Sequence, residues 1–191
     1  MDLDPVELRV LGCLIEKQRT TPDQYPLSLN GLRLAANQST SRDPVVDYDE
    51  GTIRQALDRL GRRGWTRLAS GPGSRAAKFR HLLDDALQLT PSQLAVLAVL
   101  MLRGPQTVAE LRVRTERLYP FASTEDVETT LRDLAGRELA EEGARHRWRQ
   151  LLGEAGEAAA PQPAPAPPSP DLEERVAELE RIVAELQERL A

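Results

Sequence analysis

Cysteine, histidine and aromatic side chains are almost missing from this chain of 191 residues, which has one cysteine, two histidines and 4% aromatic composition. A lone Cys13 can form neither an internal disulfide nor a cysteine-based zinc site, and its neighbours Leu11, Leu14 and Ile15 mark it as a core residue. His81 and His146 stand at no spacing from Asp, Glu or Cys that suggests a ligand set, so both are expected at the surface of basic hairpins. Glycine-rich phosphate cradles are absent too, because "SGPGSR" has neither the G-x-G-x-x-G order nor a Lys-Ser/Thr ending. With no paired nucleophile and base, the expectation is a protein that is not an enzyme and holds no metal or cofactor. No run of 18 uncharged apolar residues occurs, and "MDLDPVELRV" lacks the basic-then-apolar order of a signal peptide. A cytoplasmic protein without membrane contact is expected.

What the chain does contain is a repeat. Aligning "LDPVELRVLGCL" (3–14) with "LTPSQLAVLAVL" (89–100) superimposes Leu3, Pro5, Leu8, Val10, Leu11 and Leu14 on Leu89, Pro91, Leu94, Val96, Leu97 and Leu100. Each copy opens with a capping residue, Asp4 or Thr90, then proline, then Glu7 or Gln93 three residues after the cap, the signature of a helix start. Ser28 and Thr107 cap a second helix in each copy. A third follows, with Ile53, Leu57 and Leu60 as the apolar stripe of the first copy and Val127, Leu131 and Leu134 as that of the second. Asp49 caps the first of these and Gly64 ends it.

After Gly64, "WTRLAS" and "RAAKFRH" read as two short strands around "GPGS". Three helices followed by a hairpin is the order of a winged helix. The end of the second copy, "LAEEGARHRWRQLL", is either a hairpin around Glu142 and Gly143 or more helix. The fold expected is mainly α with small β-hairpins: a winged-helix domain over 1–86, a second over 87–153, an Ala/Pro-rich linker over 154–170 and a C-terminal coiled-coil helix over 171–191.

Charge is unevenly spread. Between Thr52 and His81, Arg54, Arg59, Arg62, Arg63, Arg67, Arg75, Lys78 and Arg80 against Asp58 make +7 in a chain whose net charge is −5, leaving −12 elsewhere. At 100° per residue the third helix turns Ile53, Leu57 and Leu60 inward, Gln55, Asp58 and Arg62 outward, and Arg54 and Arg59 to the flanks. Arg and Gln can make paired hydrogen bonds to guanine and adenine edges, while Arg75, Lys78 and Arg80 on the hairpin suit phosphates. Asp58 is expected to pair with Arg54 or Arg62, four residues to either side, although a carboxylate there could also accept from a cytosine amino group. The third helix of the second copy is acidic: Glu125, Asp126, Glu128, Asp133 and Glu138 outweigh Arg132 and Arg137. That copy is expected to pack against a neighbour, since "AVLAVLML" (95–102) is apolar nearly all round. Arg112, Arg114 and Arg117 form a second basic spot, read either as a phosphate contact or as a solvated face.

The stretches "GCLIEKQRTTPDQYPLSLNGLRLAANQSTSRDPV", "SRAAKFRH" and "LRGPQTVAELRVRTERL" resemble the YceH family, bacterial proteins built of two winged-helix domains whose biochemical role is not established. The likeness covers about residues 3 to 135, and implies the tandem fold and a bacterial cytosol but no catalytic or cofactor residue. Ser39 follows Gln38 where a lysine is usual in that family. The loop around it leaves two roles open for Arg42, holding the loop or contacting DNA.

Six prolines in "PQPAPAPPSP" (161–170) exclude helix or sheet interior and favour an extended spacer of about 3.1 Å per residue. Beyond it Leu172, Val176, Leu179, Val183, Leu186 and Leu190 alternate at four and three, a heptad stripe suited to a parallel dimer with Arg175 facing Glu180 of the other chain, or to docking on the chain's own globular part. The sequence therefore points to a homodimer that binds double-stranded DNA as a transcriptional regulator or chromosome-associated factor. Its expected contacts are Arg42, Arg54, Gln55, Arg59, Arg62, Arg63, Arg67, Arg75, Lys78 and Arg80. The alternative is a non-enzymatic adaptor with a protein partner.

Overall fold

The computed structural model describes residues 2–69 and 77–154. Arg75, the proline-rich linker and the heptad stripe Leu172, Val176, Leu179, Val183, Leu186 and Leu190 lie outside the described residues. The structure is mainly helical with small antiparallel sheets, and the repeat read in the sequence is visible in it element by element.

The first half begins with α1 (Pro5–Thr20), where the Asp4 carboxylate accepts from the Glu7 amide at 2.8 Å and the Glu7 side chain accepts from the Asp4 amide at 2.9 Å. Its counterpart in the second half, α5 (Pro91–Arg103), carries the same reciprocal cap through Thr90 and Gln93. Ser28 caps α2 (Leu29–Ala36) and Thr107 caps α6 (Val108–Thr115), each by accepting from the backbone amide three residues on. Asp49 and Ser123 do the same for α3 (Glu50–Arg62) and α7 (Thr124–Gly136). These bonds satisfy amides that a helix start leaves without partners.

Both third helices end identically. Gly64 takes φ 76°, its amide donates to Gly61 O at 3.0 Å, and the Trp65 amide donates to Leu60 O at 2.9 Å. In the second half Glu138 takes φ 56°, donates to Ala135 O at 3.0 Å, and Leu139 donates to Leu134 O at 2.9 Å. This is a Schellman closure, which glycine adopts freely and glutamate only with strain.

Short strands follow each closure. In the first half β1 (Leu27–Ser28), β2 (Thr66–Leu68) and β3 (Lys78–His81) form an antiparallel sheet with β3 in the centre, its registers pairing Leu27 with Phe79 and Arg67 with Arg80. A further helix, α4 (Leu83–Leu87), leads into α5. The second half ends in a hairpin of β4 (Ala140–Glu142) and β5 (Trp148–Gln150), with Gly143–Arg147 as its turn, which resolves the alternative left open there. Gln106 bridges to Trp148 much as Leu27 pairs with Phe79. Neither β1 nor α4 was expected.

The apolar stripes meet in one core. All of α5 from Gln93 to Leu102 is buried: α6, α7 and β5 cover it from its own half, and α1 of the first half covers the rest. Gly12 lies in this seam, where an added Cβ would sit 2.9 Å from Leu102 Cγ and 3.3 Å from Met101 Cβ. The two helices approach so closely because one of them lacks a side chain there. The described residues close on themselves as well: the Leu3 amide donates to Leu152 O at 3.0 Å, and Gly153 lies against the Leu3 backbone.

Candidate nucleic-acid interface

The orientation of α3 is fixed at both ends. Before it, the Asn37 side chain accepts from the Tyr48 amide at 2.9 Å and donates to Tyr48 O at 2.8 Å, which positions the Asp49 cap. At its far end the Thr66 hydroxyl donates to Leu57 O at 3.3 Å, tying β2 to the helix. Ile53, Ala56, Leu57 and Leu60 are buried, so Arg54, Gln55, Asp58 and Arg62 face solvent, as the sequence reading expects. Among the described residues Arg54, Gln55 and Arg62 make no side-chain hydrogen bond or ion pair. Asp58 makes none either, so the expected pairing with Arg54 or Arg62 does not form. Exposed arginines lose side-chain entropy when held, and a surface pair at this spacing gains little to offset it.

Other expected contacts are drawn inward. The Arg59 guanidinium pairs with the Asp4 and Glu7 carboxylates, both members of the cap of α1, with Nε 3.3 Å from Glu7 Oε1. Its side chain is committed to joining α3 to α1 and is not presented with Arg54 and Arg62. Arg63 is exposed and donates to Asp2 O at 3.2 Å.

Arg42 departs furthest from a DNA contact. Its side chain has 0% exposure; Nη1 and Nη2 grip the two Glu16 carboxylate oxygens at 3.1 and 2.6 Å, and Nε donates to Ala35 O at 3.0 Å. A paired, hydrogen-bonded cation is the form in which burial is tolerated, so Arg42 holds the loop rather than a duplex. Arg9, which local pattern does not single out, does related work from α1 by donating to Ala36 O at 3.1 Å and Pro44 O at 2.6 Å.

The outer face of the first sheet carries the remaining candidates. Along β3 the side chains alternate, placing Phe79 and His81 toward the body and Lys78 and Arg80 on the other side, with Arg67 of β2 directly opposite Arg80. Arg67 and Lys78 are exposed and Arg80 half-buried. His81, expected at the surface, is 1% exposed. Its Nε2 lies 2.7 Å from Gln18 Oε1, its Nδ1 3.5 Å from Asp84, and its amide donates to the Tyr25 hydroxyl at 2.9 Å. Burial, reinforced by Arg80 and Arg19 and opposed by Asp84, pushes the imidazole down to about 4, so the ring is neutral at physiological pH. His146 is the exposed histidine, 2.8 Å from Glu142.

On α7 the outward residues Glu125, Asp126, Glu128 and Asp133 are all exposed. Of the second basic spot, Arg114 pairs with Glu110 at 3.5 Å, Arg112 reaches Ala122 O at 3.4 Å, and Arg117 is exposed. Cys13 is fully enclosed, and burial raises its thiol to about 11, leaving it protonated. Among the described residues no group of three or more His, Cys, Asp or Glu could hold a metal ion, and no helix is long and apolar enough to cross a membrane.

These features define a mainly helical, internally duplicated protein that carries a solvent-facing cationic helix in one half and an acidic helix at the equivalent place in the other. The chain belongs to the family described as "Protein of unknown function, DUF480", whose model matches residues 3–147. It is similar to the UPF0502 protein of Geotalea uraniireducens strain Rf4, 49% identical over 191 residues that span 95% of this chain and 86% of that protein. The UPF0502 protein of Pseudomonas syringae pv. tomato is 44% identical over 100% of this chain and 91% of its own length. That of Pectobacterium carotovorum subsp. carotovorum strain PC1 is 43% identical over 99% and 96%. An uncharacterised bacterial family is what the resemblance to YceH implied, and the relatives carry the UPF0502 name.

Proposed function

We propose that the protein binds double-stranded DNA through the first half, as a dimeric transcriptional regulator or chromosome-associated factor. In this reading each half is a winged helix, and α3 of the first lies in the major groove with β2 and β3 beside it. The observation that supports it is the outward face of α3, where Arg54, Gln55 and Arg62 share one surface with no partner among the described residues. Unpartnered forked side chains on a rigid helix are suited to base edges, and neighbouring cations to phosphates. Arg63 and Arg67 extend that charge toward the sheet. Arg42 and Arg59 act as supports that fix the loop and the helix, not as contacts. Pairing through the heptad stripe would supply the two-fold symmetry that a palindromic site requires.

The test is duplex affinity measured against salt by fluorescence anisotropy. Affinity falling steeply with ionic strength, with Arg67→Ala and Lys78→Ala each lowering the logarithmic slope by about one unit, is the expected outcome. Weak binding indifferent to salt and to both substitutions would overturn the reading. The second reading, a non-enzymatic protein-interaction adaptor, is favoured by the acidic exposed face of α7, which a duplex would repel. Pull-down of a protein partner by the wild type, lost on Glu125→Lys with Glu128→Lys, would support it.

A further inference from the structure

Two arginines stand directly opposite one another across β2 and β3, Arg67 with Arg80, while Lys78 lies two residues along the same face of β3. Residues opposed in an antiparallel pair hold their Cβ atoms about 5 Å apart, so like charges there repel. Arg80 is on the central strand, half-buried, and its Nε is shielded from solvent without a hydrogen-bond partner. Desolvating a guanidinium donor without a partner is unfavourable. No carboxylate among the described residues pairs with Arg67, Lys78 or Arg80. The segment 70–76 that joins the strands has the composition SGPGSRA, which contains no acid. By contrast, β4 and β5 neutralise their outer positions, with Arg149 paired to Glu141 opposite it. Local repulsion and an orphaned donor, retained on one small sheet and resolved on its counterpart, call for an anion that is not part of the sheet.

We infer that Arg67, Lys78 and Arg80 form a binding site for a phosphate group, with the Arg67–Arg80 pair converging on its oxygens. A tetrahedral dianion or a phosphodiester fits this set because it accepts from several forked donors at once and cancels the repulsion between them. The phosphate comes either from a duplex held as proposed above, in which case the site rests on that reading, or from a free phosphate-bearing molecule. Stability is given up in the empty site so that affinity is gained in the filled one.

The test uses the full chain and inorganic phosphate, with sodium chloride matched for ionic strength, and reads Tm. Phosphate is expected to raise the Tm of the wild type by about 2–4 °C at saturation. Arg67→Gln, at an exposed position, is expected to raise the Tm in the absence of phosphate by about 1–3 °C and to remove the phosphate response. Arg117→Gln, an exposed change in the second half, is expected to do neither. A lower ligand-free Tm for Arg67→Gln, or an equal phosphate shift in wild type, Arg67→Gln and Arg80→Gln, would overturn the inference, the latter because general salt exclusion would explain it. Binding of a short duplex to the same proteins separates the two sources. A phosphate response without duplex binding keeps the site, assigns it to a free phosphate and removes the DNA reading. Duplex binding without a phosphate response that Arg67→Gln abolishes removes the site and leaves the DNA reading in place.

Discussion

The third helices of the two halves make a controlled experiment on one scaffold. α3 and α7 each have 13 residues, a side-chain cap, a buried leucine stripe and the same closing bonds at the C-terminal end. Only the outward residues differ in kind: Arg54, Gln55 and Arg62 on one, Glu125, Asp126 and Glu128 on the other. What is common is what folding demands, and what differs lies on the face that folding leaves free. The same division separates the sheets, where Arg67 faces Arg80 in the first half and Glu141 faces Arg149 in the second.

The largest expected effect tests the common part. Leu57→Ala and Leu131→Ala remove equivalent side chains at 4% and 0% exposure and should each lower unfolding free energy by about 2–5 kcal/mol in urea denaturation. A large loss for one and none for the other would break the equivalence of the two helices. Charge reversal probes the difference: Arg54→Glu with Arg62→Glu should weaken duplex binding about 100-fold or more, whereas Glu125→Lys with Glu128→Lys should change it less than about threefold. Equal effects from both pairs would mean that net charge, and not the face of α3, governs binding.

Acid separates the halves next. The folded-state value of His81, about 4, lies below the ordinary 6.5, so as pH falls the unfolded chain takes up the proton first. The contribution is complete above pH 6.5 and is lost between about 6.5 and 4, on the order of 3 kcal/mol. His81→Gln should flatten that part of the pH–stability curve measured by denaturation. The smallest effect concerns the helix ends. Gly64→Ala should cost about 1 kcal/mol because φ there is 76°, whereas Glu138→Gly, at φ 56°, should gain up to about 1 kcal/mol. A loss from Glu138→Gly would show that the glutamate is held for a reason other than the closure.

Capping residues and leucine spacing make the helices legible in the sequence alone, because Asp4, Thr90, Ser28 and Thr107 act on amides three residues away. The outward face of α3 followed from the same periodicity. The partners of Arg59, Arg42 and His81 did not follow. Glu7 lies 52 residues from Arg59, Glu16 lies 26 from Arg42, and Gln18 lies 63 from His81 in the chain, so no local pattern announces them. β1 escaped notice because two residues are too few to show alternation, and it becomes a strand only through Phe79 and Lys78. Asp58 departs from expectation in the opposite direction, since correct spacing for an ion pair does not by itself supply the energy to form one.

The glycine seam between α1 and α5 reaches beyond packing. A fragment ending near Leu87 would strip the cover from the Gly12 face of α1, and its complement would lay bare the side of α5 that carries Met101 and Leu102. Neither piece could be handled in water as a faithful stand-in for its share of the whole. The two halves stand or fall as one body, and a change on either outer face is borne by the joint they hold in common.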